Sequence, residues 1–238
     1  MGKPDASWRV LAHGPIEKLA DNVWWVQGSL PNMSLKRAMT VVQKRDRSLI
    51  IHSAIALDEP AMEQLESLGT PRILIIPNRG HRLDAPAYKA RYPGLRVFTP
   101  KGGLGKVAEV LHVDGAYEDF PHDDEVRLEM LHGVAEGEGV MVVRSRDGVT
   151  LVFNDAVMNM DRKHDLLGFV FTTLMGSAPG PRVSRFAKLM FIKDKRALRD
   201  DLQRYAQTPE LRRLVVAHEK VAFGRAAVEA LEHAATYL

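Results

Sequence analysis

The fold prediction starts from the stretch Ile73-Leu-Ile-Ile-Pro-Asn-Arg-Gly-His-Arg-Leu-Asp84. Its four consecutive aliphatic residues, 73–76, are typical of a strand that is buried on both faces. Pro77 ends the strand because proline has no N–H to donate to a strand ladder. The loop that follows presents His81 and Asp84 directly before a predicted helix. Because open α/β sheets bind ligands at the carboxyl ends of their strands, we expect any chemical site of this protein to include this loop.

Composition limits the chemistry that the chain can perform. Its 238 residues are 45% hydrophobic and 26% charged, with a formal net charge of +3, which is ordinary for a globular protein. The sequence contains no cysteine, which excludes disulfides, thiolate metal ligands and a cysteine nucleophile. A metal ion would therefore bind to histidine, aspartate, glutamate or water.

The sequence also indicates where the protein works and what it contacts. The N-terminal residues lack the apolar run of a signal peptide. The most apolar window, 166–175, has about half the length that a membrane span needs. We therefore expect a cytoplasmic protein with no membrane partner. The basic stretch 182–199 carries interleaved Phe186 and Phe191, but aspartates in and beside it dilute the charge. This pattern favours a solvated helical face over a nucleic-acid interface.

Periodicity and turn residues predict the remaining elements. Strands are expected at 22–27, 38–43, 48–52, 95–99, 125–131, 139–144, 149–153 and 214–217. Helices are expected at 59–68, 85–91, 102–112, 165–175, 193–206 and 225–237. Asp147-Gly148 is a strong hairpin signal between two of the strands. The chain contains no evident repeat or linker, so this pattern predicts one domain, 1–238, in which two mixed sheets have helices outside.

Polar side chains follow three of the predicted strands at the point where each strand ends. His81 and Asp84, then Asp155, and finally His218 each come after an apolar run. Two histidines and two carboxylates in one pocket would suit a divalent metal such as zinc, iron or manganese, because imidazole and carboxylate oxygens are usual ligands for these ions. Sequence spacing leaves open whether the four side chains converge.

Each of these residues also has a purely structural interpretation. Asp84 precedes a helix with proline in its first turn, so it can act as an N-cap. Asp155 lies in an Asn-Asp pair, which is common in turns. His218 could cap a strand by hydrogen bonding, and His52 could be either a buried, hydrogen-bonded histidine or a functional one. Both interpretations stay open on the sequence alone.

The order and spacing of these residues resemble the metallo-β-lactamase superfamily. In that family the strand before the first helix of the site ends in Thr-His-x-His-x-Asp-His. The segment 78–84 of this chain, Asn-Arg-Gly-His-Arg-Leu-Asp, occupies the matching position. His81 then takes the place of the second histidine and Asp84 that of the last one. Arg79 replaces the first histidine, and Leu83 replaces the aspartate.

The later ligand positions of the family are partly kept. Asp155 matches the bridging aspartate, and His218 matches the final histidine. The family's Gly-His-Thr-Pro-Gly segment corresponds to Gly-Val-Ala-Glu-Gly here, where Val134 has replaced the ligand. The resemblance therefore leaves Glu136 or the nearby His132 as a substitute ligand.

The chain is most similar to an uncharacterised branch of the superfamily. That branch has a tryptophan near the N-terminus, a His-Ser pair after the second hairpin strand and a Pro-Asn…His loop. The matching residues here are Trp24 or Trp25, His52-Ser53, and Pro77-Asn78 followed by His81. The resemblance covers roughly residues 20 to 238 and implies the family's four-layer αβ/βα sandwich, with α/β and α+β character.

The family implies a metal-dependent hydrolase, and the substitutions in its motif imply an atypical, mononuclear site. A dinuclear zinc site needs about three protein ligands per metal, and an arginine cannot coordinate because it stays protonated. We therefore predict one divalent metal held by His81, Asp84, Asp155 and His218. Asp155 would serve as a ligand or as the general base in hydrolysis of an ester, amide or phosphoester.

The alternative is a metal-free binding or regulatory protein on the same fold. It would hold a small-molecule ligand through Asn78, Arg79 and His81. Loops at 28–37 and 158–185 would set specificity in either case. The apolar helix within the second loop could cover the pocket or form a homodimer contact, and the sequence does not choose between them.

Overall fold

The computed structural model describes residues 5–135 and 137–238 of the chain. The strands are β1 Glu17–Lys18, β2 Val23–Leu30, β3 Met33–Gln43, β4 Ser48–His52, β5 Thr70–Ile75, β6 Arg96–Thr99, β7 Gly115–Ala116, β8 Val126–Met130, β9 Gly139–Ser145, β10 Gly148–Val152, β11 Leu211–Val215 and β12 Ala222–Phe223. The helices are α1 Glu59–Leu68, α2 Ala85–Arg91, α3 Leu104–Ala108, α4 Leu166–Phe169, α5 Arg185–Met190, α6 Lys195–Ala206 and α7 Arg225–Ala235.

The first sheet contains β1 to β7 in sequence order. Its strands are antiparallel from β1 to β4 and parallel from β4 to β7. The aliphatic residues of β5 are buried, as expected for a strand covered on both faces. The sheet is therefore mixed. In its parallel half, the loop after β5 lies at the edge where the carboxyl ends of β4 to β7 meet.

The second sheet has the strand order β12-β11-β10-β9-β8. β10 and β11 are parallel, and the other pairs are antiparallel. β9 and β10 form the hairpin that Asp147-Gly148 predicts. Gly148 has a φ of 133°, a region that residues with a Cβ rarely adopt. The parallel pair places the loops after β10 and β11 side by side.

Three apolar clusters separate four layers. One lies between the first sheet and α1 to α3 and includes Leu65. The second joins the two sheets face to face, with Ile75 from one and Met141 from the other. The third packs the second sheet against α6 and α7 and includes Leu202. The order helices, sheet, sheet, helices is the predicted sandwich, and this prediction is confirmed.

Local signals account for most element boundaries. α1 begins after Asp58, whose Oδ1 accepts a hydrogen bond from the Ala61 N–H at 3.0 Å, and it ends at Gly69. The helix predicted at 102–112 is shorter, because a 3₁₀ turn precedes α3 and α3 ends at Ala108. The predicted apolar helix at 165–175 starts as α4 and continues as one π-helical turn, Val170–Leu174.

The helices of this fold are short. Within the described ranges, none is both long and apolar enough to cross a membrane.

Candidate metal centre

Three of the side chains singled out by the sequence converge where strands of the two sheets end. His81 lies in the loop after β5, Asp155 in the loop after β10, and His218 in the loop after β11. The Nε2 atom of each histidine lies 3.2 Å from Oδ1 of Asp155. The side chains of His81, Asp155 and His218 are 10%, 21% and 7% exposed. The fold therefore joins residues that lie up to 137 positions apart, from 81 to 218.

Each histidine is oriented through its other ring nitrogen. Nδ1 of His218 lies 2.6 Å from the carbonyl oxygen of Lys36. A carbonyl can only accept, so Nδ1 carries the proton and the Nε2 of the neutral ring carries a lone pair. Nδ1 of His81 lies 3.0 Å from the Ser53 hydroxyl, which can accept in the same way. Such outer contacts are those that usually orient metal-binding histidines.

This donor set fits a divalent metal ion. The three ligand atoms of His81, Asp155 and His218 lie within 4.8 Å of one another. Metal–ligand bonds of about 2.0–2.1 Å at tetrahedral angles place ligand atoms about 3.3 Å apart, close to the observed 3.2 Å. A neutral His218 cannot donate from Nε2, so its contact with Asp155 needs either a proton or a metal ion between the two atoms.

Electrostatics favour an ionised Asp155. Burial raises its pKa, but the charges and hydrogen bonds of His81 and His218 outweigh burial and hold the pKa of Asp155 well below its usual range. Burial lowers the pKa of His218, yet the hydrogen bond and charge of Asp155 raise the pKa of His218 above its usual value. Without a metal, a proton on the imidazole of His218 therefore compensates the charge of the carboxylate.

Glu138 is a central residue of this site that sequence reasoning missed. Its Oε1 accepts from the Asn78 amide at 2.9 Å and from the Asp155 N–H at 3.2 Å. Its Oε2 accepts from the Ala156 N–H at 2.7 Å. Burial and then the charge of Asp155 raise the pKa of Glu138 to about 8. The buried carboxylate of Glu138 thus links the loop after β5 to the loop after β10 through hydrogen bonds.

Asn78 has partners within the protein for its whole amide group. Its NH₂ donates to Glu138 and, at 2.7 Å, to Oδ2 of Asp155. Its carbonyl oxygen accepts from the Gly80 N–H at 2.7 Å. The ligand contact predicted for Asn78 stays a prediction, and in the structure its amide donates hydrogen bonds to Glu138 and Asp155.

Asp84 lies outside the converging group. Its Oδ2 accepts from Arg37 at 2.6 Å and from the Ala56 N–H at 2.9 Å. The Arg37 and Asp84 side chains are only 6% and 9% exposed. Asp84 stands at the first position before α2, but its side chain makes no capping hydrogen bond. Its carboxylate neutralises a buried arginine, so neither the auxiliary-ligand role nor the side-chain cap predicted for Asp84 matches its contacts.

A cavity of about 500 Å³ opens beside His81, Asp155 and His218. Arg79 and Leu83, which the sequence resemblance aligns with ligand positions of the family, both line it, as does Phe171 from the π-helical turn. Arg79 is exposed and has no ion-pair partner among the described residues. The apolar helical segment therefore covers the cavity through Phe171, while Leu166 remains 79% exposed on its outer side.

The other candidate positions lie apart from the cluster. Val134 is buried and lines the cavity, whereas Glu136 lies outside the described residues. His132 faces Asp201, with Nδ1 3.0 Å from the carboxylate. His52 is 3% exposed and its Nε2 has no hydrogen-bond partner among the described residues.

Comparison with known proteins supports the fold. No protein-family model matches the chain, and no curated protein matches it. A metallo-β-lactamase from Pontibacter korlensis is 12% identical with a TM-score of 0.59, over 94% of this chain and 99% of that one. A metallo-β-lactamase from Erythrobacter litoralis is 13% identical with a TM-score of 0.61, over 94% and 96%. The DIM-1 metallo-β-lactamase is 12% identical with a TM-score of 0.64, over 95% and 99%. The chain therefore has the metallo-β-lactamase fold, as its sequence resemblance predicted.

Proposed function

We propose that this protein is a hydrolase that binds one divalent metal ion through His81, Asp155 and His218. The observation that carries the proposal is the convergence of two oriented imidazole nitrogens on one carboxylate oxygen, each at 3.2 Å. Zinc, iron and manganese all accept such ligands. Asp84 is left out of the ligand set because Arg37 and a backbone N–H already hold its carboxylate.

The reaction class follows from the site and its cavity. A bound divalent ion would supply an activated water and polarise an ester, amide or phosphoester bond. Asp155 has two oxygens in different surroundings: Oδ1 faces the imidazoles, and Oδ2 accepts from Asn78. Its lowered pKa keeps it ionised, so it serves as a ligand through Oδ1, while the hydrogen bond from Asn78 to Oδ2 holds the carboxylate in place.

Metal content tests this proposal directly. Purified, chelator-washed protein is reloaded with zinc, iron or manganese, dialysed and analysed for bound metal. We expect about one ion per chain in the wild type and none in His81→Ala or His218→Ala. His112→Ala is the matched control, because this histidine is 77% exposed and lies outside the cluster; it should keep the ion. A wild type that retains no metal would overturn the proposal.

A metal-free binding protein on the same fold is the second candidate. The observation in its favour is that Asp155 already has His81, His218 and Asn78 as partners. The cavity beside it is also lined by Arg79, which has no ion-pair partner in the part of the chain that the structure describes. The same measurement separates the two candidates, because only the hydrolase requires the wild type to retain metal.

A further inference from the structure

We propose that the cavity binds an anionic amphiphile, namely a molecule with a long apolar chain and an acidic group that pairs with Arg79. The inference deepens the proposed function, since such a molecule would be the substrate or product of the same site. It rests on the lining of the cavity and on the partners of each polar side chain there.

The walls of the cavity are mainly apolar. They come from the end of β2 and the start of β3, from the π-helical turn and from α5 with the residue that follows it. The side chains that define these walls are Leu30, Met33, Leu35, Phe171, Phe186 and Phe191. A volume of about 500 Å³ lies within the usual range for small-molecule pockets, roughly 300–1,000 Å³. Methionine and aromatic walls suit a flexible hydrocarbon chain.

Most polar side chains in the lining already have partners in the protein. Asn78 donates to Glu138 and Asp155, and Ser53 pairs with His81. Glu138 accepts from backbone and side-chain donors. A sugar or a polar peptide would need free polar groups to replace its water contacts. The side chains of this lining provide few beyond the metal-binding cluster and Arg79.

Arg79 selects the charge of the ligand. The other arginine that lines the cavity, Arg37, is neutralised by Asp84 at 2.6 Å. Arg79 is exposed and has no ion-pair partner within residues 5–135 and 137–238, so it can pair with a carboxylate, sulfate or phosphate group. An apolar wall with one available cation is the arrangement that an anionic amphiphile fits.

The test measures binding without catalysis. Straight-chain alkanoates of 6 to about 12 carbons, each below its micelle concentration, are titrated calorimetrically into metal-free protein. We expect affinity to rise about fourfold per added methylene, which corresponds to about 0.8 kcal/mol. Alkyltrimethylammonium ions of equal chain length should bind about tenfold more weakly, because they cannot pair with Arg79.

Two variants and their matched controls assign the contacts. Arg79→Gln should lower the affinity for every alkanoate by about tenfold. Arg196 is an exposed arginine on α6, and Arg196→Gln should leave these affinities unchanged. Phe171→Ala should weaken the longer chains most. Phe223→Ala is its control, because Phe223 is 54% exposed and does not line the cavity.

The outcomes separate this inference from the proposed function. Affinity that does not depend on chain length, or that is equal for cationic and anionic probes, overturns the inference even if the protein binds metal. Unchanged binding in Arg79→Gln also overturns it, because the acidic group would then have another partner. Chain-length-dependent binding that needs Arg79 supports the inference, even in a protein that fails the metal-content test.

Discussion

Replacing Asp84 by asparagine removes the only charged partner of a buried arginine among the described residues. Asp84 and Arg37 are 2.6 Å apart, and their side chains are 9% and 6% exposed. Removing one member of such a pair costs roughly 3–5 kcal/mol, because the other charge stays buried without compensation. In a chain of this size, that loss lowers the melting temperature by on the order of 10 °C. Asp84→Asn should therefore be strongly destabilised while still binding one metal ion.

The assay combines urea unfolding with metal analysis of the folded variant. Arg37→Gln alone should also be destabilised, because Asp84 then lacks its cation. The double variant Arg37→Gln/Asp84→Asn restores a neutral hydrogen-bonded pair. Its loss of unfolding free energy should therefore be smaller than the sum of the losses in the two single variants by about 1–3 kcal/mol. A stable Asp84→Asn that has lost its metal would refute this reasoning and return Asp84 to the ligand set.

Three further predictions concern neighbouring residues. Ser53→Ala removes the partner of one ligand histidine and should weaken metal binding by about 10- to 100-fold, as measured by competition with a chromophoric chelator; an unchanged affinity would contradict the orienting role. Burial, and then the charge of His81, lowers the pKa of His52 to about 3. Protonation of His52 therefore favours the unfolded chain, and stability falls as the pH drops from about 6.5 towards 3. His52→Leu should remove about 3 kcal/mol of that loss at pH 4, as measurements of urea stability at decreasing pH would show. Glu138→Gln should lower the free energy of unfolding by on the order of 2 kcal/mol, because the NH₂ group of the glutamine cannot accept a hydrogen bond from the Ala156 N–H. A variant as stable in urea as the wild type would contradict this structural role of Glu138.

Local patterns in the sequence predicted most of the fold. α1 has the same bounds in the sequence prediction and in the structure, because its cap, its early proline and its terminal glycine are all local signals. The apolar run at 73–76 and the turn residues Asp147-Gly148 are also signals made of neighbouring residues, and they predicted β5 and the β9–β10 hairpin. The helix predicted from 102 was too long, because α3 ends at Ala108 although residues 109–112 contain neither glycine nor proline to signal an end.

The site was harder to predict because its contacts join distant parts of the chain. The sequence singled out His81, Asp155 and His218, since each follows an apolar strand, but only the packed sheets show that they meet. Glu138 lies between two glycines, a context typical of a turn, and its partner Asn78 is 60 residues away. No pattern in the sequence distinguishes such a buried carboxylate from a solvated one.

The residues at the positions where the sequence resemblance predicts further ligands have a common physical consequence. Leu83 contributes an apolar wall where the motif has a carboxylate, and Val134 does the same where it has a histidine. Arg79 adds a cation that repels a metal ion, while Arg37 forms an ion pair with the carboxylate of Asp84. These changes remove donors from one side of the site and leave a single three-residue cluster beside an apolar cavity. The residues that would restrict the proposed site to one metal therefore also line the cavity in which we propose that an anionic amphiphile binds.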